Sequence, residues 1–298
     1  VSAHLKATIA AATTGVLVGA AMVSTRVVSS DASPATLAFL RYLIGLCVLA
    51  VPVLLASTSR TRFPPADAVA VSVLGVFQFA LLIVLLNYSL ETLPAATCAL
   101  VFSTMPLFTM CLAIALRRET YSSRKLGGLA LAISGVGFLL YSSPAQIDAP
   151  PADLPALAAL VGATLTGAVC SILYRPYLQR YPVLPTSALA MFAAVIFLTG
   201  LCLATAQPLA PRLSAIQWAN VGFIGLSSGL GYFCWLWALA KIDASRVVAF
   251  QALGPVTAAA IELALTRHPP SWQLLLSITL VVSGLLLACL RRAGPAAG

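Results

Sequence analysis

Polar residues are scarce along this chain, and they gather in short clusters. Between the clusters lie apolar runs at 7–25, 35–56, 68–90, 95–116, 126–141, 155–174, 186–206, 214–239, 247–265 and 272–290. Each is about 16–26 residues long, and a bilayer-spanning helix needs about 17–25. The pattern predicts an all-α integral membrane protein with ten transmembrane helices. A β-barrel is excluded, because barrel strands alternate over only about 10 residues. Glycine and proline recur inside the runs, as they do in membrane helices. The first run follows Lys6 and ends at Arg26 with no clear cleavage site, so it reads as a helix and not as a signal peptide.

Composition sharpens this reading. Of 298 residues, 60% are apolar and 8% charged, with a mean hydropathy of +1.00. A soluble domain carries about 25% charged residues, so this chain cannot cover a globular surface with polar groups. The net charge of +9 sits in short loops, where it orients a membrane protein instead of binding nucleic acid. Numbering the loops alternately puts thirteen Lys and Arg on one side and three (Arg26, Arg212 and Arg267) on the other. That bias predicts cytoplasmic N- and C-termini in an inner membrane. The seven cysteines all fall within apolar runs and form no CxxC pair, so they read as packing residues. No metal or cofactor is expected.

The runs also repeat. Placing residue i over i+149 aligns 84–141 with its counterpart without a gap, with 11 identities in 58 positions. Leu90 falls on Leu239, Pro106 on Pro255, Arg118 on Arg267, and Ser134 and Gly135 on Ser283 and Gly284. The halves are 1–142 and 155–298, joined by a periplasmic linker at 143–154. Five helices per half is an odd number, so the second half enters the membrane from the opposite side, as an inverted repeat. Pro106 and Pro255 then fall near the centres of the fourth and ninth helices, freeing the carbonyls of Phe102 and Gln251. Such groups need protein or cavity water around them, which suggests paired hinges beside a midplane cavity.

Three stretches carry a family resemblance. SPATLAFLRYLIG at 33–45 has a proline, an apolar stretch and then Arg-aromatic. ALVFSTMPLFTMCLAIALRRETYSSRKLGGLALAISGVGFLL at 99–140 has a helix, an acidic turn and a helix. GLSSGLGYFCWLWALAKIDASRVVAFQALGPV at 225–256 is the third. Together they resemble the drug/metabolite transporter superfamily in its EamA branch, over nearly the whole chain. The resemblance implies ten helices and transport, usually export, of amino acids or other small metabolites; the aromatic amino acid exporters are one such kind. Two features depart from the pattern: LVGAAMVSTR lacks the tryptophan many relatives place before the glycine, and the counterpart of the acidic Glu119 is His268.

Polar and aromatic side chains inside the runs are the candidate substrate ligands. They are Thr14, Gln78, Asn87, Tyr88, Thr104, Tyr174, Ser228, Tyr232, Trp235 and Gln251. Gln78 falls on Ser227 under the offset. Rings can contact an apolar or aromatic solute while amides and hydroxyls orient its charged ends; singly, the same groups also serve as interhelical hydrogen bonds and interfacial anchors. Arg41 and Glu262 are the charges within the runs. Arg41 lies about 10 Å below its helix start and can snorkel outward or find a partner. Glu262 can pair with Arg26 or Arg41, or bind a substrate ammonium or a proton. Gly225-Leu-Ser227-Ser-Gly229 matches a serine-hydrolase pattern, but both histidines fall at run ends, so the small residues read as packing. The function expected is secondary export by alternating access, with no enzymatic activity. The alternatives are uptake or drug efflux on the same fold, or a membrane scaffold. The partners are a small-molecule substrate and the lipid bilayer, without nucleic acid, and the chain is read as a monomer. Helices 1, 3, 4, 6, 8 and 9 are expected to line the cavity, with 2, 5, 7 and 10 supporting it.

Overall fold

The computed structural model describes residues 3–28, 31–55, 61–92, 101–102, 104–141, 154–266 and 272–289. Among these residues all regular structure is helical, and each of the ten apolar runs carries a helix. The elements are α1 (Ala3–Val28), α2 (Pro34–Leu55), α3 (Pro65–Val76), a π-helical turn (Phe77–Leu81), α4 (Leu82–Thr92), α5 (Met105–Ala115) and α6 (Ser123–Tyr141). They continue with α7 (Leu154–Arg180), α8 (Val183–Ala204), α9 (Ala215–Leu239), α10 (Ala244–Ala249), a 3₁₀ turn (Phe250–Ala252), α11 (Leu253–Thr266) and α12 (Trp272–Cys289). Among the described residues, six stretches are long and apolar enough to cross a membrane: Ala3–Thr25, Pro34–Val51, Pro65–Leu86, Leu154–Arg180, Val183–Ala204 and Ala215–Leu239.

Local chemistry sets the boundaries. Pro34 and Pro65 open their helices where a missing N–H costs nothing. Ser214 and Gln217 form a reciprocal capping box at the start of α9. After α5, Arg117 adopts a left-handed φ of 53°. The N–H groups of Arg118 and Glu119 then donate to the Ala113 carbonyl, which turns Glu119 back beneath the bundle.

Packing follows the 149-residue offset. Under it α2 corresponds to α8 and α6 to α12. α1 packs on α9 as α4 packs on α7, α2 on α9 as α3 on α8, and α1 on α11 as α5 on α7; α6 packs on its own counterpart α12. The α6·α12 crossing is antiparallel. A Cβ on Gly128 would lie 2.5 Å from the Gly284 carbonyl oxygen, and one on Gly135 would lie 3.0 Å from that of Ser277.

The prolines require a correction. The fourth and ninth helices are not unbroken rods with a proline at the centre. Val101 and Phe102 are helical, Thr104 is in a turn, and Pro106 sits in the first turn of α5. In the ninth run α10 gives way to the 3₁₀ turn, and Pro255 stands in the first turn of α11. The first turn is where a helix tolerates proline, because its N–H has no intrahelical partner there. The second break is held open from outside. Cβ atoms on Gly15 and Gly19 of α1 would lie 2.1 and 2.3 Å from the carbonyl oxygens of Phe250 and Gly254, so backbone meets backbone.

Candidate functional site

The third run changes helical pitch at its middle. The π turn Phe77–Leu81 inserts one residue per turn, a distortion that natural helices mostly keep at functional sites. It presents Phe79 to α9 and α2. Phe79 meets the Tyr232 ring edge-on at 4.3 Å between centroids and Tyr42 at 4.7 Å. Tyr232 stacks on Trp235 at 5.7 Å, and Tyr174 closes on both at 6.3 and 6.1 Å. All five rings are buried.

This cluster is apolar in bulk but not in detail. The hydroxyls of Tyr174 and Tyr232, the Gln78 Oε1 and the Ser227 Oγ are buried without a hydrogen-bond partner among the described residues. Buried polar groups are ordinarily paired, and an unpaired one costs about 1–3 kcal/mol. Gln78 and Ser227 are counterparts under the offset, so both halves carry a buried unpartnered polar atom at the same position of the repeat.

The other candidates separate. Ser228 lies one turn before Tyr232 on the same face of α9. Its Oγ donates to the Ile224 carbonyl at 2.6 Å and accepts from Arg41 Nε at 2.5 Å. Arg41 therefore turns inward to a partner and does not snorkel, with its guanidinium carbon 5.7 Å from the Tyr42 ring centroid. Thr14 is tied into packing, donating to the carbonyls of Ala10 and Gly231. Thr104 donates to the Val101 carbonyl at 2.5 Å and stabilises the break before α5. Gln251 lies half-buried in the 3₁₀ turn. Tyr88 is exposed on α4, apart from the ring cluster. The side chains of Asn87, Pro255, Glu262 and Arg26 lie outside the described residues. An apolar groove of about 360 Å³ on α3, lined by Ala68, Val69, Ser72, Val73, Val76 and Phe77, includes none of the candidates.

A second polar assembly sits at one end of the bundle. Lys125 Nζ lies 2.7 Å from Glu119 Oε2 and 3.1 Å from Asp243 Oδ2. Ser245 Oγ donates to Glu119 Oε2 at 2.6 Å. Arg246 and Arg175 approach Asp243 at 3.5 and 3.8 Å. Burial pushes the Asp243 carboxyl up, but Lys125, Arg246 and Arg175 outweigh it and hold the group below its usual value. Nearby, His4 contacts Arg246 at 3.5 Å, and Asp67 accepts from Tyr181 at 2.5 Å and pairs with Arg180 at 4.0 Å. These residues stand at helix ends and turns that the charge bias assigns to one side.

Sequence comparison agrees with this geometry. The pattern of the EamA-like transporter family matches residues 5–141 and matches again at 154–290, the same 149-residue displacement at both ends.

The chain belongs to the EamA-like transporter family.

It is a multi-pass membrane protein. An uncharacterised transporter from Archaeoglobus fulgidus is 24% identical over 261 residues, covering 87% of this chain and 90% of that protein. A Streptantibioticus cattleyicolor protein described as a probable terminal-alkyne amino-acid exporter is 26% identical over 218 residues, covering 71% and 69%. An uncharacterised Bacillus subtilis transporter, YyaM, is 27% identical over 77% of this chain and 75% of its own. One crystal structure, at 21% identity, superimposes with a TM-score of 0.82 over 95% of this chain and 96% of that one, which shows the fold. The three sequence relatives are described as transporters. The hydrolase-like Gly225–Gly229 segment is a packing surface in this EamA-family chain: a Cβ on Gly229 would lie 2.7 Å from the Gly45 carbonyl oxygen.

Sequence reading missed Tyr42 and Phe79, which α2 and the π turn bring to the rings. Arg41 and Tyr42 lie on a helix that the sequence gives only a supporting role. The dipeptide itself was the available signal, since a charge and a ring adjacent within an apolar run carry one cost and one handle. The cross-half contact of Glu119 with Ser245 was also missed, because nothing in the chain pairs residues 126 positions apart.

Proposed function

We propose that this EamA-family protein exports amino acids or related small metabolites across the inner membrane by alternating access between two inverted five-helix halves. The observation that carries the reading is the buried ring cluster with its two unpartnered tyrosine hydroxyls, set against the π turn. A solute with an apolar or aromatic body and hydrogen-bonding ends satisfies both parts of it. The antiparallel crossing of the corresponding helices α6 and α12 supports the inversion. The amino-acid exporter among the relatives supports the solute class.

In this reading the ten helices all span, the halves are 1–142 and 155–298 with a linker at 143–154, and both termini are cytoplasmic. Pro106 and Pro255 mark paired hinges beside the breaks. Gln78, Tyr174, Ser228, Tyr232, Trp235 and Gln251 face the solute in at least one state. Reconstitution into proteoliposomes tests this against an amino-acid panel, with counterflow as the readout. Saturable counterflow of at least one amino acid is expected, and its absence across the panel would sink the substrate class. Cysteine labelling at Arg124 and Asp148 tests the inversion, because labelling from the same side would remove it.

A further inference from the structure

Two helix crossings correspond under the repeat, and only one carries a charge. In α3·α8 a Cβ on Gly75 would lie 2.1 Å from the Ala190 carbonyl oxygen, so the backbones touch and nothing longer fits. In α2·α9 the position equivalent to Ala190 is Arg41, and close contact moves one turn along, to Gly45 against Gly225 and Gly229. The α2·α9 crossing thus leaves room for a guanidinium where α3·α8 is shut.

That guanidinium is only partly used. Its Nε donates to Ser228, whose own proton is committed to the Ile224 carbonyl. No carboxylate among the described side chains pairs with it. Arginine has five N–H donors in a planar fork, and the pair on the two Nη atoms matches a carboxylate edge to edge. Ser228, Tyr232 and Trp235 follow at i, i+4 and i+7, so the fork and the rings share one stripe of α9. The stripe runs from a cation with spare donors to an aromatic body whose two tyrosine hydroxyls are unpaired.

We propose that Arg41 is the carboxylate receptor of the transport site, held by Ser228, so that the protein selects carboxylate-bearing solutes over their amides and decarboxylated amines. This rests on the transporter reading above. Ser228 acts as a positioning residue that fixes the fork, and the Tyr42 ring supports its face.

The test is binding to the full-length protein in nanodiscs, with counterflow in liposomes. The probes are L-phenylalanine and L-leucine, each against its amide and its decarboxylated amine, with ethidium as a carboxylate-free solute. The wild type is expected to prefer each acid. Arg41→Gln should lower acid affinity about 30- to 100-fold, the scale of a lost charge-assisted pair, and erase the preference. Arg41→Lys, which keeps the charge without the fork, should lose about 10-fold and keep the preference. Ser228→Ala should weaken binding while the preference remains. Equal binding of acid and amide by the wild type overturns the proposal, as does an unchanged preference in Arg41→Gln. If Arg41→Gln fails to fold, the Arg41→Lys and Ser228→Ala results decide, and an unaffected acid affinity in both overturns it. Transport of ethidium and the amines alone overturns the Arg41 assignment while leaving transport intact. No movement of any probe removes both readings.

Discussion

The two ends of this bundle correspond under the repeat, yet they are held by different forces. At one end Glu119 and Lys125 of the first half interlock with Asp243 and Ser245 of the second, and the Glu119 and Lys125 side chains are only 2% and 5% exposed. The positions that correspond at the other end are His268, Leu274, Pro94 and Ala96, which cannot rebuild that network. Contacts between the halves there include, among the described residues, hydrogen bonds from Thr36 to the Pro208 carbonyl, from Ser89 to the Ala156 carbonyl and from Gln217 to Asp31. Duplication has kept helix length and spacing but not polar chemistry. The halves therefore supply similar rods with different chemistry at their ends.

The largest expected effect comes from breaking the ionic end. Lys125→Met leaves Glu119 buried with only Ser245 beside it. Removing one partner of a buried pair costs about 3–5 kcal/mol. A lower melting temperature in detergent is expected, with faster thiol labelling of a cysteine placed near Ser245. Adding Glu119→Gln should recover part of the loss, because the orphaned charge is gone. A single variant that melts like wild type would make the two ends equivalent.

Next comes the contact the two halves share symmetrically. Gly128→Ala places a methyl 2.5 Å from the Gly284 carbonyl oxygen and 2.6 Å from the Ala288 nitrogen, so α6 and α12 must separate. Overpacking of this kind costs about 1–3 kcal/mol. Gly127→Ala meets only Leu287 at 3.9 Å and should gain up to about 1 kcal/mol of helix propensity. Melting of the two variants side by side checks the contrast, and equal shifts would mean that the crossing yields without cost.

These contrasts mark what the sequence could and could not convey. Apolar run length located a helix in every run, and the offset carried α2 (Pro34–Leu55) onto α8 (Val183–Ala204). Both follow from local rules of length and propensity. Tyr232 and Trp235 were legible because they recur at helical spacing on one face. Tyr42 and Phe79 were not, since an aromatic residue in an apolar run looks the same whether it faces lipid or a neighbour. The helix breaks before Pro106 and Pro255 were placed too late. In the ninth run the break is fixed by the backbone of α1 pressing through Gly15 and Gly19, which is a contact across more than 200 residues. Thr14 and Ser228 were legible as polar groups inside apolar runs, but their partners, Gly231 and Arg41, come from the fold.

A smaller effect is expected from pH. The folded pKa of Asp243 lies below its unfolded value. The stabilisation it gives is complete above the ordinary carboxylate range, near about pH 4, and is lost as pH falls through the lower folded value. Acidification should therefore loosen the ionic end, leaving Lys125, Arg175 and Arg246 with less counter-charge. Labelling rates near Ser245 should rise at low pH in the wild type and stay flat in Asp243→Asn. A parallel rise in both would assign the response elsewhere.

The smallest effect on stability, and the sharpest on the comparison, concerns the prolines. Pro106 stands in the first turn of α5, where the turn is already held by Thr104: its hydroxyl donates to the Val101 carbonyl, and its own carbonyl accepts from Leu107. A proline that fits its backbone stabilises mainly by restricting the unfolded chain, so Pro106→Ala should cost only about 0.4–1 kcal/mol. The alanine nevertheless restores a donor and removes the ring, which lets the helix extend back through the break. If the breaks are hinges, transport should slow more than binding weakens, because the substitution biases the equilibrium between states and not the site itself. Pro255→Ala should behave in the same way, although its break is braced by α1 and the other is not. The measurement is binding affinity, counterflow rate and melting temperature for each variant and for the pair. Matching losses of rate with near-normal affinity would make the two breaks equivalent despite their unequal surroundings. A normal rate in the folded double variant would reduce both prolines to helix starts with no part in the conformational change.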